Sequence, residues 1–236
     1  MIRALIVDDE MHAREELAAM LLETGAVEIV GICANAIEAI KTINKERPEV
    51  LFLDIQMPMV NGFELLSMID DDIKPHVVFV SAYDDYALKA FEEKTLDYLL
   101  KPVEPPRLQK TLEKLSLLLH SGSAPTYDTT EIRQIPCVCG NRIKLIDPAQ
   151  MIFARSDLSG IHLVTAQGEY FTELTLKTLE SRTTLVRCHK QYLVSIAQID
   201  EITLLENGLA EIKTLTGHLV PVSRRYLKNL KEILGI

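Results

Sequence analysis

Several residues whose side chains can hold a metal ion or a phosphoryl group follow short apolar segments in the first half of the chain. In chain order they are Asp8-Asp9-Glu10, Asp54, Ser81 and Lys101-Pro102. Carboxylates that lie close together repel one another unless a cation is present, and oxygen ligands without Cys or His favour Mg²⁺ or Mn²⁺. A carboxylate beside such an ion and an ammonium group can attack a phosphoryl donor, because both cations neutralise the transferred oxygens. These residue types therefore predict phosphoryl transfer to Asp54.

Apolar strands and amphipathic helices alternate along the same half and would position these residues. The predicted strands are Ala4–Val7, Glu28–Cys33, Val50–Leu53, Val77–Val80 and Tyr98–Leu100. The predicted helices are Ala13–Leu22, Ala36–Asn44, Gly62–Ile69, Tyr83–Glu92 and Arg107–Leu119. Strict alternation predicts an α/β fold with a doubly wound five-stranded parallel sheet. Ligands bind beyond the carboxyl ends of such strands, where we expect the acids, the serine and the lysine to meet.

Each of these polar residues also has an ordinary structural explanation when it is taken alone. Asp8 and Asp9 suit the first turn of a helix, Ser81 suits a turn, and Lys101 suits an exposed surface. Their occurrence together, each at the end of a predicted strand, favours one shared site over four unrelated explanations.

The composition is that of a globular protein with an uneven distribution of charge. The 236 residues carry a net charge of −9, but residues 1–126 carry −10 and residues 127–236 carry +1. An acidic half joined to a near-neutral half indicates two domains with different partners. The four cysteines lack the paired spacing of a metal site, and no apolar run reaches the ~20 residues that span a bilayer. We therefore expect a cytoplasmic protein with reduced thiols.

The second half begins after a short polar segment and has a different pattern. His120–Thr130 (HSGSAPTYDTT) is typical of a linker. The strand-like runs beyond it are Arg142–Ile146, Ile161–Ala166, Glu169–Thr172, Val186–His189, Ile199–Leu205, Ala210–Thr214 and Leu219–Val222. Helices are predicted only at Leu174–Ser181 and Arg224–Leu234. Turn signals between the runs, such as Asn-Gly, predict a mostly antiparallel β domain.

Three segments of this half carry side chains suited to nucleic acid. Val186–Ile196 (VRCHKQYLVSI) and Pro221–Leu234 (PVSRRYLKNLKEIL) hold clustered cations, and Arg155–Gly160 (RSDLSG) is predicted as a polar loop. In the last helix the cations share one face and the leucines another, and Ser223 is expected to cap it. DNA binding needs cations beside side chains that reach base edges, although a solvated amphipathic helix has the same pattern.

The motifs VDDE, LFLDIQMP followed by NG, VSA and DYLLKP resemble the receiver domain of two-component response regulators, which has a flavodoxin-like fold. The resemblance covers residues 1–119 and implies that Asp54 is the phosphoacceptor. It implies that Asp9 and Asp54 bind the metal directly, that Asp8 binds it through water, and that the main-chain carbonyl of Gln56 is a further ligand. Ser81 and Tyr98 would be the residues that change conformation on phosphorylation, the switch pair. Lys101 would be the phosphate-binding cation, and Gly62 would lie in the tight loop after the acceptor strand. A cis peptide bond is implied at Lys101–Pro102.

The motifs FARSDLSGIHLV, ELTLKTLE, LVRCHKQYLVSI and VPVSRRYLKNLK resemble the LytTR DNA-binding domain, a mostly β fold that reads DNA with loops. The resemblance covers residues 132–236, after a linker at 120–131. The DNA contacts that it implies are the loop Asp157–Gly160, which includes Ser159, then Lys190, and Arg225 or its neighbour Arg224. The residue pattern of the segments described above adds His189 and Lys228. An arginine among them would read guanine in the major groove. A well-described family member has a base-reading histidine at the position of Gly160 and an asparagine at that of Lys190, so base preference is expected to differ.

Together the two resemblances imply a response regulator. It would take a phosphoryl group from a membrane sensor histidine kinase, with Mg²⁺ or Mn²⁺ as cofactor. It would then bind double-stranded promoter DNA with paired repeats, as a homodimer, to regulate transcription. It would not be an enzyme beyond the phosphorylation and dephosphorylation of its own aspartate.

Two other functions are compatible with parts of the pattern. The output domain would bind protein or RNA in one, and the chain would be an aspartyl-phosphate phosphatase in the other. Haloacid-dehalogenase-like phosphatases need an acid two residues after the nucleophile, where this chain has Gln56. That departure counts against the phosphatase.

Overall fold

The computed structural model divides into two compact units, residues 1–130 and 131–236. The structure describes residues 1–83, 85–86, 90, 94–125, 127, 131–140, 142–205 and 208–235. Most of the predicted helix Tyr83–Glu92 and part of the predicted linker lie outside the described residues. Within these ranges, no helix combines the length and the apolar character needed to cross a membrane.

The first unit has the parallel sheet that the alternation predicts. Its strands are β1 Ile2–Val7, β2 Val27–Cys33, β3 Val50–Leu53, β4 His76–Ser81 and β5 Asp97–Leu100. Its helices are α1 Met11–Glu23, α2 Ala36–Glu46, α3 Gly62–Met68 and α4 Pro105–Ser121, with a 3-10 turn at Asp71–Ile73. The strand order is β2-β1-β3-β4-β5, so that β1 and β3 lie side by side.

Strand β3 is apolar along its whole length, as expected where packed helices exclude water from both faces of a parallel sheet. All four residues of β3 are at most 1% exposed, and one core cluster joins the sheet to α1 and α4. Side-chain caps fix where two helices begin. Asn35 accepts a hydrogen bond from the Glu38 N–H before α2, and Asn61 and Glu64 form a capping box before α3. Such caps stabilise a helix by about 1 kcal/mol each.

Part of the segment predicted as a linker packs against the first unit. Helix α4 ends at Ser121, and Tyr127 beyond it is only 2% exposed. The Tyr127 carbonyl accepts a hydrogen bond from Lys74 Nζ at 3.4 Å, and this ammonium lies 5.0 Å from the centroid of the tyrosine ring. Burial of the ring contributes about 2 kcal/mol to holding the chain there.

Within its described residues, the second unit contains two antiparallel sheets and two helices. The larger sheet contains β6 Ile135–Cys139, β7 Arg142–Ile146, β8 Met151–Asp157, β9 Gly160–Thr165, β10 Gly168–Thr172, β11 Leu185–His189 and β12 Tyr192–Ser195, in the order β11-β12-β8-β9-β10-β6-β7. The smaller contains β13 Ile199–Leu204, β14 Ala210–Thr214 and β15 Leu219–Val222. The helices are α5 Leu176–Arg182 and α6 Arg224–Leu234, and 3-10 turns lie at Pro148–Gln150 and Ile196–Gln198.

The strand prediction for this unit is incomplete, because it misses β6, β8 and β12. The segment Arg155–Gly160, predicted as a loop, is instead the end of β8, a two-residue turn and the start of β9. Strand β8 changes along its length from buried apolar residues to partly exposed polar ones. No single period identifies such a strand from sequence.

Helix α6 confirms the predicted division into an apolar and a basic face. Leu230 is fully buried, and Leu227 and Leu234 pack against the same core cluster. Ser223 occupies the N-cap position, but its side chain makes no capping hydrogen bond, contrary to prediction. Packing of the leucine face therefore holds the helix in place.

Candidate functional site

Three carboxylates meet at the carboxyl edge of the parallel sheet, where the predicted strand ends converge. One oxygen from each of Asp8, Asp9 and Asp54 lies within 4.8 Å of the other two. Parallel pairing of β1 with β3 causes this, because the Asp54 N–H donates to the Val7 carbonyl at 2.8 Å. Asp8 and Asp54 are 4% and 5% exposed, whereas Asp9 is exposed. The cluster is thus buried on one side and open on the other.

Lys101 is the cation that lies against these acids. Its ammonium nitrogen is 2.7 Å from Asp8 Oδ2, 3.7 Å from Asp54 Oδ1 and 3.5 Å from Glu10 Oε2. The lysine follows β5 and is joined to Pro102 by a cis peptide bond, which confirms that expectation. One ammonium group does not neutralise the surrounding carboxylates, so the site keeps a negative charge.

The ionisation of Asp54 is governed first by the burial of its carboxyl group. Burial raises the pKa of its carboxyl to about 6, partly opposed by the Lys101 ammonium and reinforced by Asp8 and Asp9. A hard divalent cation among these oxygens would offset both the desolvation and the repulsion. The all-oxygen donor set therefore fits Mg²⁺.

The loop after β3 forms the rest of this edge. Gln56 lines the same cleft as Asp9, a cavity of about 410 Å³, and its side-chain amide donates to the Tyr86 hydroxyl at 3.1 Å. Gly62 lies directly under the acceptor strand, where an added Cβ would be 2.5 Å from the Asp54 carbonyl oxygen. Only glycine permits this close approach of the two backbones.

We expect the contribution of Asp54 to the stability of the metal-free protein to fall as pH rises from about 4 to about 6. The folded Asp54 carboxyl, with its pKa raised from 3.8 to about 6, keeps a proton that the unfolded chain releases. Its stabilising contribution is therefore complete below pH 3.8 and is lost as pH passes through 6. Asp54→Asn should then be more stable than wild type at pH 7 by about 1 to 2 kcal/mol, allowing for solvent screening.

Urea unfolding of both proteins in EDTA, between pH 4 and pH 8, measures this difference. The gap should close toward pH 4, and Mg²⁺ should stabilise the wild type more than the variant. If the difference in free energy of unfolding between the two proteins stays constant across the pH range, burial does not raise the pKa of the Asp54 carboxyl.

The predicted switch residues are joined through one piece of backbone. Ser81 is fully buried at the end of β4, and its Oγ accepts a hydrogen bond from the Tyr83 N–H at 3.3 Å. The carbonyl of the same Tyr83 accepts a hydrogen bond from the Tyr98 hydroxyl. A displacement of Ser81 would therefore alter the acceptor that holds Tyr98.

Backbone hydrogen bonds gather the three cation-bearing segments of the second unit. Strand β8 pairs with both β9 and β12. The Ser156 N–H of β8 donates to the Gln191 carbonyl, in the β11–β12 turn, at 2.8 Å. The Ser223 N–H, at the start of α6, donates to the Cys188 carbonyl of β11 at 3.0 Å. The β8–β9 turn, the β11–β12 turn and the start of α6 therefore form one connected region.

The predicted DNA contacts in this region include four exposed cations. They are Lys190, Arg224, Arg225 and Lys228. Lys228 lies 3.7 Å from Glu232 on the next helical turn, an exposed pair that contributes little. These ammonium and guanidinium groups are accessible to phosphates or base edges.

His189 has a different environment from its neighbour Lys190. Its Nδ1 accepts a hydrogen bond from the Gln191 N–H at 3.2 Å, and its ring lies 5.7 Å from the Tyr192 ring. Burial lowers the pKa of the imidazole, and the Lys190 charge lowers it further. The side chain is therefore neutral at pH 7 and holds the turn that carries Lys190.

The remaining predicted contacts lie on the β8–β9 turn. Asp157 Oδ1 accepts hydrogen bonds from the Ser159 N–H at 2.8 Å and the Ser159 hydroxyl at 2.5 Å, and these bonds lower the pKa of the aspartate. Gly160 has φ +126°, and a Cβ there would clash with the Phe171 ring. In this turn, two of the predicted DNA-contacting residues, Asp157 and Ser159, are therefore hydrogen-bonded to each other.

Sequence reasoning misses the residues that brace this turn. Arg155 pairs with Asp157 and with Glu169, each at 2.5 Å, and His162 Nδ1 lies 3.0 Å from the same Glu169. Side chains of three neighbouring strands thus share one cluster of polar contacts. Its members have no local spacing that marks them, because they meet only through sheet pairing.

Arg187 is a second such residue. Its guanidinium pairs with Glu180 of α5 at 2.8 Å and donates to the Lys190 carbonyl at 3.2 Å. The clustered cations of this segment suggest a phosphate ligand, whereas the structure uses this one to hold the β11–β12 turn.

Comparisons with known proteins match a different family model to each of the two units. The family model for the response regulator receiver domain matches residues 4–113, and the model for the LytTr DNA-binding domain matches residues 141–235. A response regulatory protein of Vibrio parahaemolyticus serotype O3:K6 is 57% identical over 242 residues, covering 100% of this chain and 99% of that protein. The transcriptional regulatory protein BtsR of Escherichia coli (strain K12) is 49% identical over 246 residues, with complete coverage of both. The crystal structure of the response regulatory domain of protein mrkE from Klebsiella pneumoniae is 30% identical, with a TM-score of 0.46, covering 51% of this chain and 98% of that one.

The relatives match from one end of this chain to the other, so the similarity includes both units and the order in which they occur. The two family models fall on different units, the acid cluster on the first and the cation-bearing region on the second. This chain therefore belongs to the two-component response regulators in which a receiver domain is followed by a LytTr DNA-binding domain.

Proposed function

We propose that Asp54 accepts a phosphoryl group from the phosphohistidine of a membrane-bound sensor kinase and that this event controls binding of the second unit to promoter DNA. A carboxylate oxygen of Asp54 forms the new P–O bond while the P–N bond of the donor breaks. The observation that carries this proposal is the buried Asp54 carboxylate, clustered with Asp8 and Asp9 and 3.7 Å from Lys101. When bound by these acids, Mg²⁺ supplies neutralisation of the phosphoryl oxygens.

The chain's own residues have distinct parts in that transfer. Lys101 now shares its charge among three carboxylates, and it is close enough to Asp54 to hold a phosphoryl oxygen instead. The side chain two residues after Asp54 is the neutral amide of Gln56, bonded to the Tyr86 hydroxyl. It offers no general base, so we infer that the phosphoryl group stays on Asp54 rather than passing through it to water.

Phosphorylation would change the surface of the first unit through the Ser81–Tyr83–Tyr98 connection. A phosphoryl group adds a charge of about −1.5 to −2 and strong acceptor oxygens. Ser81 would turn toward these oxygens and leave the Tyr83 N–H. The Tyr83 carbonyl that holds Tyr98 would then move, and the altered surface would pair with a second copy of the chain.

A homodimer would present two cation-bearing regions to one duplex. The second unit would then bind paired repeats, with Lys190 and the N-terminal cations of α6 as its charged contacts. Such phosphate contacts make binding steeply dependent on salt. Phosphorylation would increase affinity by holding the two copies together.

Capture of genomic duplex fragments tests this function. The full chain is incubated with Mg²⁺, with and without the phosphoryl mimic beryllofluoride, at two salt concentrations. We expect a few fragments with paired repeats to be enriched, more strongly with the mimic and less strongly at high salt. Absence of enrichment in both states would overturn the DNA proposal and leave a receiver whose output unit binds protein or RNA.

A further inference from the structure

The polar side chains of the β8–β9 turn, which could otherwise contact DNA bases, are already hydrogen-bonded within the protein. Asp157 Oδ1 accepts two hydrogen bonds from Ser159, and Asp157 Oδ2 accepts one from Arg155 at 2.5 Å. The Ser159 hydroxyl also lies 2.7 Å from His162 Nε2. Gly160 contributes no side chain. A polar reader of bases is therefore not available at this tip without breaking the turn.

The tip is also held rigidly from behind. Glu169 of β10 binds both Arg155 and His162, and the His162 ring packs edge-on against Phe171, with centroids 5.8 Å apart. Strand pairing places Arg155 opposite His162 and His162 opposite Phe171. Contacts from three strands therefore fix the direction in which the tip points.

One side chain at the tip projects outward without a partner in the fold. Leu158 has a relative exposure of 109%, the highest among the exposed large apolar residues of the described chain. Leucine has no preference for tight turns, which favour Gly, Asn, Asp and Ser. Exposed in this way it adds nothing to folding stability, so the fold does not account for it.

The neighbourhood of Leu158 suits DNA. The adjacent β11–β12 turn, joined to β8 through Ser156 and Gln191, carries the exposed Lys190. The acids next to the tip, Asp157 and Glu169, are both paired with Arg155, which reduces their repulsion of phosphates. In a major groove, the base feature that an apolar side chain can recognise is the C5 methyl group of thymine.

We propose that Leu158 is a specificity-determining residue that contacts a thymine methyl group in the target duplex. The inference rests on the proposed function of the second unit as a DNA-binding domain. The Arg155–Glu169–His162 cluster positions the turn, and Leu158 discriminates thymine from cytosine at one or two positions of each repeat.

Uracil substitution provides the test, because uracil differs from thymine only by that methyl group. The strongest duplex from the genomic capture is synthesised with uracil in place of thymine at one position at a time. Full-length wild type with beryllofluoride should bind about fourfold less tightly at one or two of these positions, as expected for one buried methyl group. Leu158→Ala should bind thymine DNA about fourfold less tightly and show no further loss with uracil at those positions.

A matched control is Leu215→Ala, which alters another exposed leucine, 61% exposed between β14 and β15. It should bind like wild type and keep the full sensitivity to uracil. Uracil sensitivity retained by Leu158→Ala, or wild-type affinity of this variant for thymine DNA, would overturn the inference. A wild-type protein with no salt-dependent binding to any duplex would instead overturn the proposed function.

Discussion

Replacement of Asp54 by asparagine should reduce phosphoryl labelling of this protein to background when a small phosphodonor and Mg²⁺ are supplied. The amide lacks the anionic oxygen that attacks phosphorus. Asp8 does not substitute for it, because Lys101 holds its carboxylate at 2.7 Å. Asp9 is exposed and lies outside the apolar support that β3 gives to Asp54.

Mass-spectrometric mapping of the acid-stable and base-labile label tests this expectation. Asp72→Asn serves as the matched control, since it makes the same chemical change at an exposed aspartate of the first unit. It should label like wild type. Full labelling of Asp54→Asn, at whatever residue, would contradict the assignment of the phosphoacceptor.

Truncation of Lys190 or Arg225 should weaken binding to the recovered duplex by about tenfold each, at fixed salt. Both side chains are exposed, and they lie on the two segments that backbone hydrogen bonds join to β8 and β11. If a side chain contacts a phosphate, its loss should lower the slope of log affinity against log salt by about 0.9. If it reads a base, the slope should stay the same while the preferred sequence relaxes at one position.

Titrations of Lys190→Ala and Arg225→Ala at several salt concentrations distinguish these cases. Lys213→Ala is the control, because Lys213 is an exposed lysine of β14 in the same unit. Phosphoryl labelling should be unchanged in all three variants. Wild-type affinity of both Lys190→Ala and Arg225→Ala would contradict the location of the interface.

The fold and the site of the first unit could be predicted from sequence because the alternating strand and helix patterns are local and repeated. Strands β1, β3 and β4 are mostly apolar runs. The site residues Asp8, Asp54 and Ser81 stand at or directly after their ends. The strand order that places β1 beside β3 is the common one for doubly wound sheets of five strands. Asp54, Lys101 and their neighbours could therefore be brought together before any coordinates were known.

The second unit was less accessible because its organisation depends on contacts between distant strands. Strand β8 starts apolar and ends polar, so it escaped detection, and with it the pairing that places Arg155 opposite His162. Arg187 carried the right charge for a phosphate ligand, but its partner Glu180 lies on a separate helix. Charge patterns along the chain show where cationic residues occur, but they do not show which of these residues form ion pairs within the folded protein.

The contact between Gly160 and Phe171 limits how this regulator and its descendants can diverge. A side chain at position 160 would meet both an unfavourable positive φ and the Phe171 ring. A descendant that gains a base-contacting side chain at position 160 therefore needs two further changes at the same time. The residue at position 171 must be smaller than phenylalanine, and the backbone at position 160 must leave its positive φ. The two positions should change together among paralogues, and a single substitution at either one should rarely be inherited alone.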